Sequence, residues 1–270
     1  MAQKYYALIL GASSGFGGAT ARKLSKDGYN IIGVHLDRSA TMPNVEKIIT
    51  DIRNDGNEAY FFNVNAADHK KREHVIEEII KITNGQPLVR VLLHSLAFGS
   101  LLPFIGKDKN SEFITHRHIE MTLDVMANSL VYWTQDLVHN NLMPENSRIF
   151  ALTSFGSRVA FPFYGAVSAA KAALEAYVRQ LALELGNRKI SVNALMAGVT
   201  DTPALRKIRG NNKIIEIALT KNPMGRLTVP EDIANAVSIL SKPEAMWING
   251  GVIQVDGGED AISFANTSVL

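Results

Sequence analysis

Leu8-Ile9-Leu10-Gly11-Ala12-Ser13-Ser14-Gly15-Phe16-Gly17 is the stretch on which the fold turns. An apolar run stops at a glycine, small residues follow, and two further glycines open an amphipathic stretch that continues to Asp27. Glycine permits a tight turn and lets backbone come close to a pyrophosphate, and the first turn of the following helix offers unpaired N–H groups and a favourable dipole. Gly11, Ser13, Ser14, Gly15, Phe16 and Gly17 are therefore candidate contacts for a dinucleotide.

Outward from this turn, short branched-residue runs alternate with longer amphipathic stretches, the pattern of βαβ units. Strands are predicted at Tyr6–Leu10, Asn30–Leu36, Ala59–Asn63, Val89–His94, Arg148–Thr153, Ser191–Leu195 and Val252–Val255. Helices are predicted at Phe16–Asp27, Val45–Asp55, His69–Thr83, Phe113–His139, Tyr164–Leu185, Ala204–Thr220 and Pro230–Leu240. The expected fold is α/β, a doubly wound Rossmann fold: one seven-stranded parallel sheet with helices on both faces, in a single domain over residues 1–270. Ligands of such sheets bind at the strands' carboxyl ends.

Composition sets the outer limits. A chain without cysteine has no disulfide, thiolate metal site or thiol nucleophile. A formal charge of +2 is too mild to argue for nucleic-acid binding. Met1–Leu10 lacks the pattern of a signal peptide, and no apolar stretch reaches membrane-spanning length. A cytoplasmic location is compatible with both. His116 and His118 alternate in a charged segment and read as surface histidines, so no metal is expected.

The spacing Gly-x3-Gly-x-Gly resembles that of the short-chain dehydrogenase/reductases. Leu93-His94-Ser95-Leu96-Ala97 and Val255-Asp256-Gly257-Gly258 resemble further landmarks of that superfamily, and the likeness covers nearly the whole chain. In its majority branch a tyrosine stands four residues before a lysine, and a serine seventeen before it. Ser154 and Lys171 keep that spacing, but Val167 occupies the tyrosine position and the nearby phenol is Tyr164, seven residues before Lys171. Seven residues make two helical turns, so Tyr164 and Lys171 share a helix face, roughly 10 Å apart along the axis.

Tyr-x6-Lys resembles the enoyl-[acyl-carrier-protein] reductases. Ser154-Phe155-Gly156-Ser157 is closer to their NADPH-using type III, whereas His94-Ser95-Leu96-Ala97-Phe98 is similar to the commoner type. The resemblance implies reduction of a trans-2-enoyl thioester in fatty-acid synthesis, with a ketone such as a 3-oxoacyl thioester, another carbonyl or an enoyl-CoA as the alternative. Tyr164 would hydrogen-bond the enolate oxygen. Lys171 would bind the nicotinamide ribose and favour a polarised phenol. Ser154 would assist the carbonyl or Tyr164, or merely cap local backbone. The asparagine that holds a relay water in many relatives falls at Met126 or Ala127, with Asn128 just beyond.

For the cofactor, the resemblance adds Ser95 after the fourth strand, Asn63 and Val64 near the adenine, Gly198 after the sixth strand, Val199 or Thr200 meeting the carboxamide through backbone groups, and Thr202 at phosphate. The acid that would read the adenosine ribose is replaced by His35; Asp37 and Arg38 follow. Arg38 could pair with a 2′-phosphate, so NADP(H) is favoured and NAD(H) remains possible. Residues 203–226 would form a lid whose Leu205, Ile208, Ile214, Ile215, Ile217 and Leu219 face an acyl chain or the core. Arg206, Lys207, Arg209 and Lys213 would dock an acyl carrier protein or remain a solvated face. A homotetramer or homodimer is carried over from the superfamily.

Overall fold

The computed structural model describes residues 4–108 and 110–262, so the outermost residues of the expected 1–270 domain, Met1–Gln3 among them, lie outside the described residues. The strands are β1 (Tyr6–Leu10), β2 (Asn30–His35), β3 (Ala59–Asn63), β4 (Val89–His94), β5 (Arg148–Ser154), β6 (Ser191–Ala197) and β7 (Val252–Val255). They form one sheet in the order β3-β2-β1-β4-β5-β6-β7, every pairing parallel. The helices are α1 (Gly15–Lys26), α2 (Met42–Asn54), α3 (His69–Thr83), α4 (His116–Leu123), α5 (Ser129–His139), α6 (Gly165–Leu185), α7 (Asn211–Lys221) and α8 (Pro230–Leu240). None of the described helices is long and apolar enough to cross a membrane.

Strand alternation explains the double winding. Leu8 and Leu10 pack into a core with residues of α3, α5 and α6, whereas Ala7 and Ile9 point the other way, into a core with α1, α2 and α8. Both faces of β1 and β2 are thus covered, which is why every residue of the two strands is buried and their sequences are mostly apolar, with Asn30 and His35 at the ends of β2. Local chemistry sets several helix ends. The Asp68 side chain accepts the Lys71 N–H to start α3, and Asn84 ends it in the left-handed region. Pro230 opens α8, and Asp232 accepts the Val229 N–H.

Two predicted helices are interrupted. The one expected over Phe113–His139 begins at His116 and passes through a π-helical turn, Asp124–Asn128, between α4 and α5. There the Ser129 hydroxyl donates to the Val125 carbonyl at 2.8 Å and lies 2.8 Å from His94 Nε2, so a buried side-chain pair competes with the helical ladder. His118 is not a free surface group: its Nδ1 accepts the Thr115 N–H at the start of α4. The helix expected over Ala204–Thr220 is instead a single 3₁₀ turn, Leu205–Lys207, followed by α7, because the chain breaks at Gly210, where φ is +79°.

The strand order reverses between β1 and β4, which opens a crevice at their carboxyl ends. Gly11 and Ser95 meet there, the Ser95 N–H donating to the Leu10 carbonyl at 2.9 Å.

Candidate active site

A cavity of about 310 Å³ extends from this crevice across the ends of β5 and β6. Phe16, Ser95, Ser154, Tyr164, Lys171 and Thr202 all line it, so the structure brings the glycine-rich turn and the three expected catalytic side chains to one site.

Tyr164 sits at the start of α6, directly after Phe163, whose φ of +65° places a bulky residue in the left-handed region. Such a conformation costs of order 1–3 kcal/mol and needs surrounding structure to hold it. Part of that structure is visible: the Phe161 ring meets the Tyr164 ring edge-on at 6.0 Å, and the guanidinium of Arg209 lies 5.4 Å from the Phe163 ring. Gly156 makes room for the phenol, since a Cβ there would stand 2.5 Å from Tyr164 Cε1. Ser154 Oγ lies 3.3 Å from Tyr164 Oη, and the serine makes no side-chain cap. Of the three uses open to Ser154, the geometry realises contact with Tyr164. Burial pushes the Tyr164 phenol up, with Ser154 pulling it partly back, so the group is a protonated donor.

Lys171 is buried two turns further along α6 and donates to the Leu152 carbonyl at 2.6 Å. Burial draws its ammonium down to about 8, opposed by Glu175. Glu175 is itself buried and accepts the Thr153 hydroxyl at 2.7 Å. On the other side stands His94, wholly buried. Burial and then Lys171 hold it down to about 3, so the imidazole is neutral. Glu175, Thr153 and His94 were not singled out as site residues from sequence. Glu175, one turn beyond Lys171 on the same helix, was the one with a readable signal. Val167, at the position of the usual tyrosine, is core, and Asn128 accepts the Tyr177 hydroxyl at 3.0 Å. Neither Asn128 nor the aligned Met126 and Ala127 supplies the family's relay asparagine.

The cradle fits a dinucleotide. A Cβ on Gly17 would lie 2.0 Å from the Gly11 carbonyl, and one on Gly11, at φ +91°, would lie 2.4 Å from the Ser95 carbonyl, so both positions require glycine. Ser14 begins α1 without a side-chain cap, leaving the first-turn N–H groups to a ligand. Thr202 Cγ2 would be 3.7 Å from a Cβ on Gly15, so the loop after β6 faces the glycine turn. At the adenosine end, Asn63 is tied by its amide to both backbone groups of Asp37, at 2.9 Å each, and the Val64 N–H donates to the His35 carbonyl. Asn63 therefore shapes this corner by holding the loop after β2. Asp37 Oδ2 lies 3.0 Å from His35 Nδ1. Burial pushes the Asp37 carboxyl up, but hydrogen bonds from Thr41, Ser13 and His35 outweigh it and leave it below the ordinary range. The Ser13 carbonyl accepts the Asn44 amide, and Arg38 is exposed.

After β6, Gly198, Val199, Thr200 and Thr202 line the cavity. Thr200 Oγ1 donates to the Gly198 carbonyl, and Thr202 Oγ1 accepts the Leu205 N–H. The Val199 N–H, expected to be available for a carboxamide, donates to the Glu259 carboxylate. Of the apolar residues in 203–226, Leu205, Ile208 and Ile214 line the cavity, whereas Ile217 and Leu219 are exposed. The basic cluster is divided. Arg206 is bidentate on Asp201, while Lys207 reaches across the cavity to within 5.9 Å of the Phe98 ring.

Comparison with known proteins agrees with this architecture. A short-chain dehydrogenase/reductase of Pestalotiopsis microspora is 26% identical over 263 residues, covering 93% of this chain and 94% of its own. The 3-oxoacyl-[acyl-carrier-protein] reductase of Pseudomonas aeruginosa is 28% identical over 252 residues, covering 93% and 96%. Among solved structures, the enoyl-[acyl-carrier-protein] reductase (NADH) of Aquifex aeolicus superposes with a TM-score of 0.82 at 23% identity over 96% of this chain and 98% of that one, a likeness of fold. A short-chain dehydrogenase of Burkholderia cenocepacia in complex with NADP superposes at 0.78, with 23% identity over 95% and 98%. The family described as enoyl-(acyl carrier protein) reductase matches residues 11–259, and the chain thus belongs to this family of short-chain dehydrogenase/reductase oxidoreductases.

Proposed function

We propose that the protein reduces the carbon–carbon double bond of a trans-2-enoyl thioester carried by acyl carrier protein, as a step of fatty-acid synthesis. The single observation that carries this reading is the displaced phenol. Tyr164 and Val167 both line the cavity, but only Tyr164 carries a proton donor; burial keeps that phenol protonated, and Ser154 touches it. Reduction at the β-carbon puts negative charge on the thioester oxygen, and a buried O–H aimed at that oxygen stabilises the enolate where water is excluded. Proton delivery then ends on the α-carbon, so no relay to a new alcohol is required, consistent with Asn128 being bonded elsewhere.

The nicotinamide cofactor supplies the hydride when bound. Lys171 would hold its ribose, the turn Gly11–Gly17 with Ser13, Ser14, Gly15 and Phe16 would receive the pyrophosphate, and Thr202 on the facing loop would contact phosphate. Ser95, Gly198, Val199 and Thr200 line the same cavity, and Val64 would stand near the adenine. NADP(H) is the favoured form: Asp37 is engaged by Ser13, Thr41 and His35, while Arg38 is exposed and free to meet a 2′-phosphate. Residues 203–226 act as the acyl lid through Leu205, Ile208 and Ile214. Lys207, Arg209 and Lys213 meet the acidic carrier, Arg206 being committed to Asp201. The protein works in the cytoplasm as a homotetramer or homodimer.

A ketone reductase is the second reading, because the Ser154–Tyr164 pair could equally donate to a carbonyl and the Pseudomonas relative is a 3-oxoacyl reductase. Oxidation of NADPH, and separately of NADH, with crotonyl thioester beside acetoacetyl thioester distinguishes the two. The enoyl reading expects turnover of crotonyl thioester that falls at least about tenfold in Tyr164→Phe. Turnover of acetoacetyl thioester alone would sink it.

A further inference from the structure

Two acids line the cavity that none of these steps uses, Glu259 and Asp260, and Asp260 is paired with Lys221. Glu259 follows Gly258 after β7, is 4% exposed, and lines the same cavity as Tyr164 and Lys171. The Val199 N–H donates to its two oxygens at 3.2 and 3.4 Å. Gly198 lets it approach: a Cβ there would stand 3.0 Å from Glu259 Oε2 and 2.4 Å from Thr228 Oγ1.

The neighbouring charges leave this carboxylate without a cation of its own. Lys221 is paired with Asp260 at 3.1 Å, and Asp256 accepts the backbone N–H groups of Gly258 and Asp260. Lys171 donates to Leu152, Lys207 lies against Phe98, and among the described residues no ion pair reaches Glu259. Burial, then Asp260, push the Glu259 carboxyl up, opposed by the Val199 N–H and Asn222, with Asp256 raising it further. This wall of the cavity therefore gathers three carboxyl groups, Asp256, Glu259 and Asp260, around one paired cation, Lys221, and a cationic ligand would relieve that imbalance.

A dinucleotide at the β1/β4 switch point would have its adenosine ribose at the end of β2, which leaves its other half for the ends of the strands on the far side of the crevice. The cavity with Tyr164, Lys171 and Glu259 stands at those ends. Nicotinamide carries an amide N–H, a donor for a carboxylate, and its ring is cationic when oxidised and neutral when reduced. We propose that Glu259 is a positioning residue for the nicotinamide end of the cofactor, accepting its amide N–H and binding the oxidised cation more tightly than the neutral reduced ring. A group that prefers the form produced by hydride loss also favours hydride donation.

The inference concerns the cofactor alone, so it is tested without any acyl substrate and its failure leaves the enoyl reading untouched. NADP+ and NADPH are titrated into the full-length protein by calorimetry and by nucleotide fluorescence, with NAD+ and NADH as a second pair. In Glu259→Gln, of nearly equal size, the Kd of the oxidised form should rise about tenfold while that of the reduced form moves by less than about threefold. Equal changes in both, or none in either, overturn the proposal. If Glu259→Gln does not fold, Glu259→Asp decides, since it keeps the charge but withdraws it by one methylene. The preference for the oxidised form should then fall about two- to fivefold, and an unchanged ratio overturns the proposal.

Discussion

Replacing Lys171 by methionine should abolish turnover yet stabilise the protein at neutral pH. The ammonium is 6% exposed, and burial lowers it from 10.5 to about 8 in the folded state. That depression is worth ~3 kcal/mol against the charged form. Methionine has a similar length and no charge, so it removes this penalty while losing the 2.6 Å bond to the Leu152 carbonyl. A bond from a charged donor contributes about 1.5–3 kcal/mol, and the net gain near pH 7 is therefore about 1 kcal/mol. The pH dependence is the sharper part. Between about 8 and 10.5 the unfolded chain holds a proton on Lys171 that the folded chain has released, so wild-type stability rises with pH across that window. The methionine advantage must shrink over the same window and change sign above it, where only the lost hydrogen bond remains. Urea midpoints of both proteins at one protein concentration, at intervals from about pH 7 to beyond pH 10.5, measure the difference, with titrations common to both proteins cancelling. A variant less stable near neutrality by several kcal/mol, or a difference that does not move with pH, would refute the account of Lys171 as a desolvated cation.

Gly156→Ala places a methyl 2.5 Å from Tyr164 Cε1 and should lower kcat on the preferred substrate by about tenfold or more while cofactor Kd changes little, read by steady-state kinetics beside nucleotide titration. Thr153→Val keeps shape but removes the 2.7 Å bond to the buried Glu175 carboxylate, and should cost about 1–3 kcal/mol in urea unfolding.

Much of the fold could be read from local pattern. The glycine spacing after β1, the mostly apolar runs of β1 and β2 and the start of α3 at Asp68 could be read from short-range pattern, sterics and hydrogen bonding. The elements that misread were those in which a distant side chain intervenes or a glycine breaks the run. His94 from β4 meets Ser129 at the π-helical turn between α4 and α5, and Gly210 divides the lid segment. Ile217 and Leu219 carried the right chemistry for an acyl-facing helix but are exposed, because α7 turns the face of Ile214 and Ala218 inward.

At the site the division is similar. The chain alone determined that Tyr164 and Lys171 share a helix, because their separation of two turns is a property of α-helical geometry. It also pointed to Gly11 and Gly17 as places where backbone passes close, because their spacing follows an apolar strand and opens a helix, whereas the clash a side chain would meet there is a fact of the tertiary structure. Only the tertiary structure decided that Tyr164 stays protonated, that Asp37 is drawn into the Ser13 corner, and that Glu259 answers the Val199 N–H from sixty residues away. Charge states and long-range contacts depend on burial and on which loops converge at the sheet's carboxyl edge, and neither has a periodicity to be read along the chain.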